Sequence, residues 1–132
     1  NIKIPTLEET LDTCKGRIKL NIEIKEDGTE SSDFTERVIQ LIRDKGMTDQ
    51  WRITQLCYSV LEKVKAIEPS LKTGYIRSKD IEDFSQYPAA DQFMLSIELI
   101  QKERVDQIHW ERRSQPGRSM ICIPCASVKA LR

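Results

Sequence analysis

Strand-like and helix-like segments alternate four times along this chain of 132 residues, with short connections between them. Apolar and polar residues alternate at 17–25, which predicts a strand, and apolar residues at helical spacing predict a helix through 34–45. Further strands are predicted at 51–57, 71–76 and 90–96, and further helices at 6–15, 60–67 and 98–112, with one or two helical turns at 78–84. This order is typical of a parallel α/β sheet with right-handed crossovers.

Two of the predicted helices carry start and stop signals. Thr6 and Glu9 have the spacing of a capping box, and Gly16 is expected to end that helix. Asp33 is expected to cap the second helix, with a glutamate three residues later completing another box. Gly46 is expected to end it.

The charge balance argues against nucleic acid as a partner. Lys plus Arg equals Asp plus Glu at 21 each, so no net field would recruit a polyanion or an anionic membrane. No apolar run approaches the roughly 20 residues that span a bilayer. We expect a soluble segment, either cytoplasmic or a soluble domain of a membrane-associated parent. The first residue is Asn1, without a signal-peptide pattern after it, and we interpret the sequence as a piece of a longer chain.

The four cysteines do not form a recognisable ligand set. Cys14 and Cys57 lie in apolar contexts and are expected to pack as small hydrophobic residues. Cys122 and Cys125 have the spacing of half a zinc or redox motif, but His109 is the only histidine, so two unlinked thiols are the favoured interpretation. A reducing compartment fits this usage.

One face of the first predicted strand carries polar side chains. Asn21, Glu23 and Lys25 project the same way, because residues two apart in a strand share a face. At the carboxyl end of a parallel strand, a carboxylate suits Mg²⁺ or Ca²⁺ and a lysine suits a phosphoryl oxygen. These are parts of a phosphoryl-transfer or phosphodiester-cleaving site. On the spacing alone, a solvated ion pair worth under about 1 kcal/mol is the favoured interpretation.

Several collinear segments resemble the glycerophosphodiester phosphodiesterase (GDPD) family. Residues 4–11 (I-P-T-L-E-E-T-L) and 18–25 (I-K-L-N-I-E-I-K) resemble the family's central motif, "P-T-L-E-E-x-L" followed by "L-N-I-E-I-K". Residues 71–76 (L-K-T-G-Y-I) are similar to its "K-x-G-Y-L" segment. Residues 90–91 (A-D) and 105–109 (V-D-Q-I-H) resemble its penultimate strand and helix, so the resemblance runs from residue 2 to about residue 109.

The resemblance implies a fold, a reaction and two site residues. The fold is a (β/α)₈ TIM barrel, of which this chain would hold roughly half of the strands and helices. The reaction is hydrolysis of a small glycerophosphodiester to glycerol 3-phosphate and an alcohol, a phosphoric diester hydrolase activity of lipid metabolism. It uses a divalent metal, Mg²⁺ or Ca²⁺, and two histidines. Glu23 matches a metal ligand, and Lys25 matches a lysine near the substrate phosphate.

The departures from the family limit what this chain holds. The family's "H-R-G", "E-x-D" and "H-D" motifs are not in the sequence, so the acid–base histidines would lie upstream and no catalytic residue is assigned here. A complete barrel needs about 250 residues. The family's last-strand motif does not follow His109, which we interpret as a surface or core-edge residue. We therefore divide the chain into a partial barrel, 1–113, and a divergent tail, 114–132.

Two functions stay open at this point. The chain is either the carboxy-terminal half of a phosphodiesterase that is active in a longer parent, or a catalytically dead α/β binding or interaction segment. A generic nucleotide binder is disfavoured because no glycine-rich loop follows a predicted strand. Tyr75 fits either a pocket or the core. An open half-sheet would expose two edges and an inner face rich in Ile and Leu, so we also expect self-association.

Overall fold

Four parallel strands form one sheet, in the order β1-β2-β3-β4, in the computed structural model of the chain. The structure describes residues 2–25, 33–96, 99–103, 106 and 110. In chain order the elements are α1 (Leu7–Cys14), β1 (Leu20–Glu23), α2 (Phe34–Asp44), β2 (Trp51–Gln55), α3 (Tyr58–Ile67), β3 (Lys72–Arg77), a 3₁₀ turn (Phe84–Gln86) and β4 (Gln92–Leu95). The predicted parallel α/β architecture is confirmed.

The helices and the sheet enclose two apolar clusters. Leu11 of α1 and Ile39 and Ile42 of α2 are fully buried in the first cluster, against which Leu20 and Ile22 of β1 pack. The second cluster lies around β3 and β4, where the rings of Phe84 and Phe93 meet edge to face at 4.7 Å. The apolar side chains of β1 therefore face the helices. The other face of the sheet is mostly polar, so the expectation that it is rich in Ile and Leu is wrong.

The start and stop signals hold for α1 but only in part for α2. The backbone N–H of Glu9 donates to Thr6 Oγ1 at 3.2 Å and the N–H of Thr6 donates to Glu9 Oε2 at 2.7 Å, so the first capping box is confirmed. Gly16 and Gly46 follow their helices with φ of 71° and 64°. This is the left-handed backbone conformation, which residues that carry a Cβ atom rarely adopt. The second capping box is wrong: Asp33 makes no capping hydrogen bond with its side chain.

Other differences concern the ends of elements. The strand predicted at 17–25 is limited to Leu20–Glu23. The helical turns predicted at 78–84 are not formed at 78–83, and a 3₁₀ turn lies at Phe84–Gln86 instead. Cys57 is exposed beside α3 with its Sγ 3.2 Å from Ser59 Oγ, so its predicted burial is wrong. Cys14 and Cys57 are both free thiols. Most of the helix predicted at 98–112, and all of the tail 114–132 with Cys122 and Cys125, lie outside the described residues.

Across the described ranges, no helix has both the length and the apolar character needed to cross a bilayer.

A buried carboxylate connects α3 to the second half of the sheet. Asp91, 6% exposed, immediately precedes β4. Its Oδ2 accepts hydrogen bonds from the backbone N–H of Thr73 at 2.9 Å and from Lys65 Nζ at 2.6 Å. Lys65 Nζ also donates to the carbonyls of Pro69 at 3.2 Å and Leu71 at 2.7 Å, so its three donors are all used. The two charges are thus paired, with all donors of Lys65 used and Oδ2 of Asp91 accepting several hydrogen bonds, which is the condition for tolerating burial.

The electrostatics of Asp91 follow from these contacts. Burial raises the pKa of this carboxyl, but the hydrogen bonds from Lys65 and from the Thr73 backbone outweigh it, and the pKa is lowered from its ordinary value of 3.8. The folded state therefore binds the proton less tightly than the unfolded chain does. The contribution of Asp91 to stability is present above the ordinary pKa and is lost as the pH falls through the folded-state pKa.

Replacing Asp91 by asparagine should lower the free energy of unfolding by about 2–3 kcal/mol at pH 7, because Lys65 loses its charged partner. Urea unfolding followed by circular dichroism measures this, with Asp49→Asn, at an exposed position, as the control. The difference between wild type and Asp91→Asn should shrink as the pH falls below about 4. A difference that stays constant down to the lowest pH at which the chain folds would contradict this account.

Candidate functional site at the carboxyl end of β1

Alternation of side chains divides the sheet into a helix-covered face and an inner face. The inner face is identified at Gly74, where an added Cβ would meet Thr54 Cγ2 at 2.9 Å, Met94 Sδ at 3.5 Å and Arg52 Cδ at 3.7 Å. Register extends this face across the sheet, because paired residues of neighbouring parallel strands project to the same side. It comprises Asn21, Glu23, Arg52, Thr54, Lys72, Gly74, Ile76, Gln92 and Met94. The inner face is therefore mostly polar.

Glu23 and Lys25 lie together on this side at the carboxyl end of β1. Glu23 is the last residue of the strand, and the N–H of Ile24 still donates to the carbonyl of Thr54 at 3.1 Å, which carries the alternation one residue further. Lys25 Nζ lies 3.9 Å from Glu23 Oε1, with the side chains 62% and 37% exposed. An ion pair whose charged atoms are this far apart and this exposed contributes little to the free energy of folding. Both groups are thus accessible to a ligand.

Thr54 is a site residue that sequence reasoning missed. It pairs in register with Glu23, its side chain is fully buried, and its Oγ1 has no hydrogen-bond partner within the described part of the chain. Beyond it, Ile76 and Met94 continue the inner face toward the carboxyl ends of β3 and β4. The signal was present in the alternation of β2, because Thr54 stands two residues after Arg52 and shares its face.

The described residues supply only part of a divalent-cation site. Mg²⁺ takes six oxygen ligands and Ca²⁺ six to eight. The Glu23 carboxylate is of the right type and is accessible, but the described ranges contain no group of three or more His, Cys, Asp or Glu side chains arranged to hold a metal. These residues alone do not fit a complete metal centre.

The structure places two other residues considered from the sequence. Tyr75 is 4% exposed and packs in the second apolar cluster, with its ring 5.3 Å from that of Tyr58, so it belongs to the core on the helix-covered face. His109 lies outside the described residues.

The arrangement defines a class of protein. Parallel strands alternating with helices, covered by helices on one face, with a carboxylate and a lysine at a carboxyl strand end, form part of a (β/α)₈ barrel with an open sheet. Several solved structures share this fold, and two of them illustrate it. One is a proposed glycerophosphodiester phosphodiesterase from Galdieria sulphuraria, with a TM-score of 0.70 and 23% identity over 88% of this chain and 48% of that one.

The other is a proposed glycerophosphoryl diester phosphodiesterase from Silicibacter pomeroyi, with a TM-score of 0.72 and 18% identity over 89% of this chain and 52% of that one. This chain thus spans about half the length of the solved structures that it matches. No protein-family model matches the sequence, and no curated protein matches it either. At these identities the likeness establishes the fold: about half of a barrel of the GDPD type.

Gly74 is required by the close approach of the inner-face side chains. Gly74→Ala should lower the free energy of unfolding by about 1–3 kcal/mol, because its methyl group would lie 2.9 Å from the Cγ2 of the buried, β-branched Thr54. Thermal unfolding of the single variants and of Gly74→Ala combined with Thr54→Ser measures the coupling. Serine lacks the clashing methyl group, so the double variant should recover much of the loss. Additive effects would show that the clash is not the cause.

Proposed function

We propose that this chain is part of a metal-dependent phosphodiesterase that hydrolyses glycerophosphodiesters to glycerol 3-phosphate and an alcohol, as a segment of a longer parent chain. The observation that carries the proposal is the position of Glu23 and Lys25 on the inner face at the carboxyl end of β1. Carboxyl strand ends are where (β/α)₈ enzymes build their active sites. The sequence resemblance and the two solved folds of the same type support it further.

Each of the two residues has a proposed role that its chemistry allows. Glu23 would supply one oxygen ligand to a divalent cation, Mg²⁺ or Ca²⁺, whose remaining ligands come from residues beyond those described. Such a cation stabilises the negative charge that develops on phosphoryl oxygens. Lys25 would contact the phosphate as a mobile positive charge, since its side chain is exposed and weakly paired. The small-molecule diester is the partner that this arrangement would recognise.

The second candidate is a catalytically dead segment that binds or interacts without hydrolysis. It is favoured by the absence, within the described ranges, of a complete set of metal-ligating side chains. The two candidates differ in what the longer parent contains, because an active enzyme needs further acid–base and metal-binding groups close to Glu23.

The 132-residue chain by itself should not release glycerol 3-phosphate from glycerophosphocholine, with either Mg²⁺ or Ca²⁺ present. The reason is that, among the described residues, the site holds one carboxylate and one lysine, which supply neither the acid–base groups nor the full ligand set. A coupled assay for glycerol 3-phosphate measures this, with a complete phosphodiesterase as the positive control. Metal-dependent release by the purified chain would contradict the prediction.

The longer parent protein tests the function itself. It should hydrolyse glycerophosphocholine, lose activity with EDTA, and lose about 10–100-fold or more in kcat/KM on Glu23→Gln. Glu62→Gln, at an exposed position on α3, is the matched control and should retain activity. A parent that binds the diester without hydrolysing it would support the dead-segment alternative. If the parent is active and keeps its activity with Glu23→Gln, Glu23 is not part of the active site.

A further inference from the structure

A second polar region lies on the inner face toward the amino-terminal ends of the strands, where Asn21, Arg52 and Lys72 form the register row two residues before that of Glu23. A cavity of about 350 Å³ opens there, at the amino-terminal ends of the strands. Its lining contains three cationic side chains and one carboxylate, and it comprises Lys19, Leu20, Asn21, Asp49, Gln50, Trp51, Arg52, Lys72 and Gln92. Neither Glu23 nor Lys25 belongs to the lining, and Gln92 is the lining residue that lies in the same register row as Glu23.

Two of the cations are neighbours across the sheet. Arg52 and Lys72 pair in register on β2 and β3, and Asn21 pairs with Arg52 from β1, so the three form one row. Strands in a sheet lie about 4.8 Å apart, and like charges directly opposite one another destabilise a sheet. Within the described part of the chain, neither cation makes an ion pair with a carboxylate. The row therefore carries a positive charge that an anion would neutralise.

Unpartnered buried atoms in the same lining give an independent indication of a ligand. Arg52 Nε is buried and has no hydrogen-bond acceptor among the described residues. Gln92 is 4% exposed, and its Oε1 also has no partner there. A half turn of the Gln92 carboxamide exchanges its oxygen and its NH₂ group, so this side chain can present either a donor or an acceptor to the cavity. Buried polar groups of this kind are normally satisfied.

We propose that this cavity is a binding site for paired anionic oxygens, of the phosphate or polycarboxylate class, held by Arg52 and Lys72 with a hydrogen bond from Gln92. Arg52 offers Nε–H and its terminal N–H groups in a fixed fork that matches two oxygens of one anion. Lys72, whose side chain is exposed, supplies a second positive charge from the adjacent strand. The proposal does not depend on the phosphodiesterase function, because it uses neither Glu23 nor Lys25.

Isothermal titration calorimetry of inorganic pyrophosphate into the 132-residue chain at low ionic strength tests the proposal. We expect saturable binding of one anion per chain that weakens as salt is added. Arg52→Gln and Lys72→Gln should each weaken binding at least tenfold. Lys79→Gln, at an exposed lysine beyond the carboxyl end of β3, is the matched control and should change the affinity less than twofold. Circular dichroism establishes that each variant is folded.

A second arm distinguishes the source of the oxygens, and a second readout locates them. Citrate replaces pyrophosphate in the same titrations: equal sensitivity to Arg52→Gln supports a general site for paired anionic oxygens, whereas binding of pyrophosphate alone supports a phosphate site. Nuclear magnetic resonance should show shifts of the Gln92 side-chain NH₂ and the Arg52 Nε–H. Lack of saturation with both anions, unchanged affinity in Arg52→Gln, or shifts confined to Lys25 would each overturn the proposal.

Discussion

The buried carboxylate of Asp91 holds the register of β4, on which the place of Gln92 in the inner-face cavity depends. It accepts hydrogen bonds from Thr73 of β3 and Lys65 of α3, and so fixes the start of β4 against its neighbours. Because side chains alternate with a period of two, a slip of one residue would exchange the faces of β4. Phe93 would leave the core, where it packs against Phe84, and Gln92 would leave the cavity. One ion pair and one apolar cluster thus specify the same register.

The alternation of side chains along β1, β2 and β3 gives the inner face its polar character, which changes how an open half-barrel should behave. An apolar inner face would drive association by the hydrophobic effect, whereas a face with Glu23, Arg52 and Lys72 would lose hydration of its charges on being covered. What remains to favour association are the unpaired backbone groups of β1 and β4 at the two edges of the described sheet. Self-association therefore stays a prediction, now based on edge pairing alone.

Local sequence signals predicted the elements well, and the contacts between elements less well. Thr6 and Glu9 interact within one helical turn, so their capping box could be recognised from spacing alone. At Asp33 the same spacing misled, because the glutamate of that box, Glu36, forms an ion pair with Lys63 of α3 at 3.0 Å. The role of Asp91 could not be predicted, since its partners are distant in sequence.

In the candidate site, too, placements within one strand were predicted and contacts between strands were missed. Glu23 and Lys25 share a face because the period-two alternation of β1 continues past its last residue, Glu23, and their charged groups lie 3.9 Å apart. Thr54 reaches the site only through the pairing of β1 with β2, and Arg52 and Lys72 meet only through the pairing of β2 with β3. A strand can be predicted from one segment, but its register needs two. This is why the sequence indicated Glu23 and Lys25 on the inner face and missed the cavity at the amino-terminal ends of the strands.

The unequal lengths of the strands bear on how Glu23 would work. β1 ends at Glu23, whereas β3 continues from Gly74, in the same register row, to Arg77, and β4 continues from Gln92 to Leu95. Ile76 and Met94 therefore extend beyond the level of the carboxylate as an apolar wall on the inner face. In the open half-barrel, water reaches Glu23 from the uncovered side, and its contact with Lys25 is weak. Further strands closing that side would exclude water, and the same carboxylate would then interact more strongly with any cation or phosphate bound beside it.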